Sequence, residues 1–190
     1  IVMPPNVECV AGYVSGSVVF PKNSTTKVIK TLSGATSVNI PSSVVSIFQG
    51  AFKDSNLSSL TFDKNSNLIA LYSMDGGDSY VGAFENNNLQ TITIPKSVQY
   101  IGGNTFKNNK LTTVKFEEGS KLKTIDTSAF SNNQLTNAGL GKLPSSLTSL
   151  ATSAFSNNPS LTQITLTSPA DLEGWTNGST VDGKTVIYER

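Results

Sequence analysis

The 190-residue chain has no histidine and a single cysteine, Cys9. The first absence excludes imidazole metal ligation, histidine acid–base chemistry and every nucleophile–histidine pair. The second excludes an intrachain disulfide and a thiolate zinc cluster. Charge is scarce too. Charged residues make up 14%, against the usual quarter, and 14 basic residues face 13 acidic ones for a net charge of +1. That balance, with the basic residues scattered, excludes nucleic acid as the main partner. Apolar runs are only a few residues long, as in Val18-Val19-Phe20. None approaches the roughly 20 apolar residues needed to span a bilayer as a helix, so the chain is read as not membrane-spanning. Serine, threonine and asparagine instead supply about a third of the chain. The polarity and the near absence of cysteine suit an exported protein. The chain starts at Ile1 rather than Met, so it is expected to be a processed or excised piece.

What is present is repetition. Phe52, Phe84, Phe106, Phe130 and Phe155 recur at spacings of 32, 22, 24 and 25 residues, and all but Phe106 follow an alanine. After each comes L-x-x-L-x-L or a close variant, starting at Leu57, Leu89, Leu111, Leu135 and Leu161. Before each come two apolar residues three apart: Val44 and Ile47, Leu68 and Leu71, Val98 and Ile101, Leu122 and Ile125, Leu147 and Leu150. The second member sits five before the Phe except at Leu71, where an insertion within 72–80 lengthens the gap. Ala35, Val38 and Ile40 form a half-unit upstream. Such a period means a solenoid, in which each unit exposes an apolar face that only the next unit covers.

Within a unit, Thr91-Ile92-Thr93-Ile94 alternates and is β-branched, as a strand requires. Successive copies stack in parallel about 4.8 Å apart, so five rungs span roughly 20–25 Å. A second short strand, 97–101, follows. Pro41, Pro95 and Pro144 end the first strand because they lack a ladder donor. The five Phe rings are expected to stack as an internal spine, each set in one helical or 3₁₀ turn. The Asn-rich stretch after each Phe (86–88, 108–109, 132–133, 157–158) reads as a turn whose amides satisfy backbone groups from rung to rung.

Residues 89–106 and 143–155 resemble the BspA-like leucine-rich repeats of bacterial and protist surface proteins. The likeness covers about residues 35–166. It departs from the common leucine-rich repeat, because proline or an acidic stretch (Asp63-Lys64, Glu117-Glu118) stands where Asn or Cys is usual. The resemblance implies a β-rich (α+β) curved solenoid, a right-handed superhelix of stacked parallel strands and short helical turns. It also implies extracellular adhesion or host-factor binding, and brings no catalytic residue.

The expected organisation is an N-terminal cap at 1–34, a repeat array at 35–166 and a C-terminal cap at 167–190. In the last, Leu172 and Trp175 close the final rung and Thr185–Tyr188 forms a strand. Outward strand positions supply the candidate binding residues: Thr91, Thr113, Asn137 and Gln163 in one row, and Thr93, Lys115 and Thr165 in the other, with Gly139 among them. Tyr100 is the aromatic of the second strands. Tyr72, Asp75, Asp78 and Tyr80 in the insertion suit a protein contact, whereas two carboxylates are too few for calcium. The expectation is a monomeric, non-catalytic module without metal or cofactor that binds an extracellular protein or glycan at the cell surface. A spacer in a larger surface protein is the alternative. A hydrolase using Glu117 and Glu118 is disfavoured, because neighbours on an extended stretch point to opposite sides.

Overall fold

A computed structural model describes residues 1–71, 81–167 and 172–189. The strands are β1 (Cys9–Val18), β2 (Val28–Ile40), β3 (Ser46–Ile47), β4 (Ser59–Phe62), β5 (Ala70–Leu71), β6 (Thr91–Ile94), β7 (Tyr100–Ile101), β8 (Thr113–Phe116) and β9 (Thr124–Ile125). After one helical turn, α1 (Asn137–Leu140), come β10 (Lys142–Leu143), β11 (Ser149–Leu150), β12 (Gln163–Leu166), β13 (Thr180–Val181) and β14 (Lys184–Tyr188). The chain coils so that like segments stack. One sheet runs β1-β2-β3-β5-β7-β9-β11, with β4 paired to β2; a second is the β6–β8 pair; the third runs β10-β12-β14-β13. Among the described strands every pairing is parallel except the β13–β14 hairpin, and an isolated bridge between Leu172 and Trp175 is also antiparallel.

The phenylalanines form the expected spine. Successive ring centroids lie 5.1, 5.3, 5.3 and 5.4 Å apart, within 14° of parallel. All five rings are buried, each worth about 1.5–3 kcal/mol in transfer. The backbone keeps step with the rings. Phe52, Phe84, Phe106 and Phe130 each donate N–H to the carbonyl of the residue before the next phenylalanine: Ala83, Thr105, Ala129 and Ala154. Leu32, in the middle of β2, donates to Ala51 in the same way. The thirteen residues of β2, with left-handed Gly34 among them, therefore run through one whole coil, pairing as a second strand at Ile29↔Ile47 and as a first strand at Val38↔Leu60.

Two asparagine ladders fix the corner after each Phe. The residue two beyond it (Asp54, Asn86, Asn108, Asn132, Asn157) has φ between 53° and 57°, which Asn and Asp tolerate best after Gly. Asn86, Asn108, Asn132 and Asn157 donate side-chain N–H to the preceding member at 2.6–2.7 Å. One residue further, the buried Asn87, Asn109, Asn133 and Asn158 face inward. Asn109 is representative: Oδ1 accepts the Leu89 N–H, and Nδ2 donates to the carbonyls of Phe84 and Phe106. The chain around each Phe makes single i→i+3 turns, such as Lys107 N–H to Asn104 C=O. It forms no helix there; before three of the five rings the residue two earlier (Gly50, Asn104, Ser128) is left-handed, which breaks helical continuity.

The fourth unit departs from the expected strand. Asn137–Leu140 is a helical turn, with Thr136 Oγ1 accepting from Gly139 N–H as its cap. Ala138, expected inward, is exposed. The strand comes later, as β10, with Leu143 opposite Leu166. Three extra residues between Leu135 and Leu143 are taken up by the turn.

At the C-terminal end Trp175 is 1% exposed. Along the second strands, the carbonyls of Ile29, Leu71, Ile101 and Ile125 each accept a backbone N–H from the following coil. The Leu150 carbonyl, next in that row, accepts instead from the Trp175 side chain, whose Nε1 donates to it at 2.8 Å. The indole thus fills the core and closes one edge acceptor.

Candidate functional site

The outward face of β6 and β8 brings four candidate residues together, with Thr91 opposite Thr113 and Thr93 opposite Lys115. Alternation puts Ile92 and Val114 inside and leaves Thr91, Thr93 and Lys115 exposed and Thr113 half-buried. Their neighbours toward the N-terminus are committed to one another. Thr61 Oγ1 donates to Asn39 Oδ1 at 2.7 Å, Asn39 Nδ2 donates to Asp63 at 2.6 Å, and Ser37 and Ser17 hydroxyls bond at 2.7 Å. Among the described residues, the side chains of Thr91, Thr93, Thr113 and Lys115 make no such bond. Beside them the face opens: β4 and β6 do not pair. A groove of about 240 Å³ lies there, lined by Leu60, Phe62, Ile92, Thr61, Thr93 and Glu117 among others. Glu117 Oε2 accepts the Lys96 N–H at 2.9 Å, which holds it at the rim. Apolar floor, free hydroxyls and one charge of each sign suit noncovalent recognition.

The remaining candidates lie elsewhere. Asn137 is exposed on α1, and its amide is occupied: Oδ1 accepts from Thr162 N–H and Gln163 N–H, and Nδ2 donates to Thr162 Oγ1. It stands in for the strand that the helical turn displaced. Gln163 is half-buried and donates to Thr165 Oγ1. Thr165, expected outward, is 7% exposed, in a strand flanked by β10 and β14 on its two sides. Tyr100 is 40% exposed, on β7 in a different sheet from the threonine face. Tyr72, Asp75, Asp78 and Tyr80 lie outside the described residues. The groove between β4 and β6 escaped the sequence reading, since both strands carry the regular pattern and only the spacing of 32 from Phe52 to Phe84 hinted at a break.

A family model for the BspA-type leucine-rich repeat region, in six copies, matches residues 17–77 and 80–174. The chain belongs to this family. The match takes in part of β1 and all of β2, as their register with the later coils requires. No curated protein matches the chain. Among solved structures, the pneumococcal vaccine antigen PcpA is similar, at 26% identity and a TM-score of 0.55. The alignment covers 78% of this BspA-type chain and 39% of the antigen, so it spans about two fifths of that protein. Among the described residues no helix is long and apolar enough to cross a membrane.

Proposed function

We propose that this BspA-type repeat is a non-catalytic binding module of a surface or secreted protein, and that it holds an extracellular protein or glycan on the β6–β8 face. The observation that carries the reading is the contrast along the outward rows: polar side chains of β1, β2 and β4 are tied to one another, whereas those of Thr91, Thr93 and Thr113 bond no described residue, next to an open groove. The family and the similarity to a pneumococcal antigen support the compartment. The test is a binding array of extracellular matrix proteins and glycans, probed with the native chain and with a Thr91→Ala/Thr93→Ala/Thr113→Ala/Lys115→Ala variant. Binding by the native chain, weakened at least about tenfold in the variant, is expected, since each lost contact contributes roughly 0.5–1.5 kcal/mol. Equal attachment by both chains would place the binding site off the β6–β8 face, and no attachment by either would favour a spacer.

A further inference from the structure

The first strands of successive coils do not pair without a break. β4 pairs with β2 and β8 with β6, but the ladder stops between β4 and β6 and again between β8 and β10. Proline accounts for one missing bond at each stop. Where the strands pair, the residue just past the later strand donates N–H to the end of the earlier one: Asp63 to the Ile40 carbonyl, and Glu117 to that of Ile94. Pro95 and Pro144 hold the same place in their coils and have no N–H to offer Phe62 and Phe116. Ile40 and Ile94, at the paired ends, are fully buried, whereas Phe62 and Phe116, at the two stops, are half-buried. Each stop holds a groove of about 240 Å³ with its phenylalanine in the wall, and Glu117 lines both. The second groove lies nearer the proline corner, where α1 packs on the start of β8. Lys142 is paired with Glu189, and Glu117 Oε2 accepts the Lys96 N–H, so neither groove has a free cation among its described lining residues.

We propose that the two grooves are consecutive subsites for one ligand, a neutral, extended β-1,4-linked glycan laid across the coils, with one sugar on Phe62 and another on Phe116. This rests on the binding-module reading and names the ligand class of the same face. The two phenylalanines hold the same place in coils two apart, which sets them about 10 Å from each other at roughly 4.8 Å per step. An extended β-1,4-linked chain advances by a similar length per disaccharide and turns the same sugar face to one side at each such step. A half-bared aromatic ring packs against the C–H face of a sugar. The hydroxyls of Thr91, Thr93, Ser120 and Ser145 and the carboxylate of Glu117 suit sugar hydroxyls, which both donate and accept. A peptide strand fits less well, because a ladder at each stop needs the N–H that Pro95 and Pro144 lack. Acidic glycans are disfavoured, since the unpaired charge in the grooves is a carboxylate.

The probes are cello- and chito-oligosaccharides of two to six sugars, titrated into the chain by calorimetry. Affinity is expected to rise at least about tenfold from the disaccharide to the hexasaccharide, because only the longer chain reaches both grooves. Phe62→Leu and Phe116→Leu should each remove that rise and leave disaccharide binding at the other groove. Maltohexaose, whose α-1,4 links coil the chain, should show no such rise over maltose. The rise with length is read on the native chain, so the inference can fail without any variant. Affinity independent of length, equal binding of maltohexaose, or an unchanged rise in either variant would overturn it. If neither series binds while an extracellular protein does, and the threonine-face variant loses that protein, the glycan falls and the binding module stands.

Discussion

Asn109 shows how one side chain can hold three coils. Its carbonyl oxygen accepts from Leu89, and its amide donates to Phe84 and Phe106, all buried. Asn109→Ala leaves these backbone groups without partners. Each buried orphan costs about 1–3 kcal/mol, so a loss of roughly 2–4 kcal/mol is expected in urea unfolding. Asn108→Gly, one residue earlier on the exposed ladder, keeps the left-handed backbone and should cost under about 1 kcal/mol, since water replaces the side-chain bonds to Asn86 and Asn132. Equal losses at the two positions would mean that burial does not separate the ladders. The asparagines were legible in the sequence because they recur in phase with the rings. Leu32 was not. It keeps the backbone place of a phenylalanine without the aromatic side chain, so a search for rings passes over it.

At the scale of an element, the departure in the fourth unit has a physical signature. Leu135, Ala138 and Leu140 copy the spacing of the strand motif, but a three-residue step followed by a two-residue step also fits a short helical turn with one buried leucine. The telling residues were Leu143-Pro144. They match Ile40-Pro41 and Ile94-Pro95 yet stand eight rather than five beyond the leading leucine. The turn depends on Gly139, where a Cβ would lie 1.9 Å from the Thr112 carbonyl oxygen. Gly141 has φ 62° but open space around it. Gly141→Ala should therefore cost about 1–2 kcal/mol from the left-handed backbone alone. Gly139→Ala must push α1 off β8 and should cost more. The comparison fails if thermal unfolding ranks the two the other way. The hairpin β13–β14 carries a pH dependence. Its Asp182-Gly183 turn has both residues left-handed, as a tight two-residue hairpin needs. Burial alone would raise the Asp182 pKa, but hydrogen bonds from Lys184 and Ser156 and the Lys184 charge outweigh it and hold the carboxyl below its ordinary value. A depressed carboxyl stabilises the fold above the unfolded-state pKa, and that contribution fades as pH falls below about 4. Asp182→Asn should flatten this part of the melting-temperature profile, whereas an unchanged acid limb would show that other carboxylates set it.

For the whole molecule, stability is a chain of neighbour contacts, because each coil touches only the coils beside it. The spine makes this testable with one substitution. Phe106 lies between Phe84 and Phe130, so Phe106→Ala removes two of the four stacked contacts and opens a cavity between the halves of the array. A loss of about 3–5 kcal/mol is expected. The position of the break should show as well as its size. Trp175 is the sole tryptophan, buried in the last coil, so its fluorescence reports the C-terminal half alone. Far-ultraviolet circular dichroism reports the strands of both halves. In the native chain, unbroken stacking couples the ends, and the two signals should share one urea midpoint. In Phe106→Ala the coupling is cut at the middle, and the midpoints should separate as the halves unfold at their own concentrations. Phe155→Ala is the control, since it removes one ring contact at the end of the spine and leaves the column from Phe52 to Phe130 whole. There the circular dichroism transition should stay single while the fluorescence moves to lower urea. If Phe106→Ala lowers both midpoints together, the array unfolds as one body, and the rings add stability without carrying cooperativity from coil to coil.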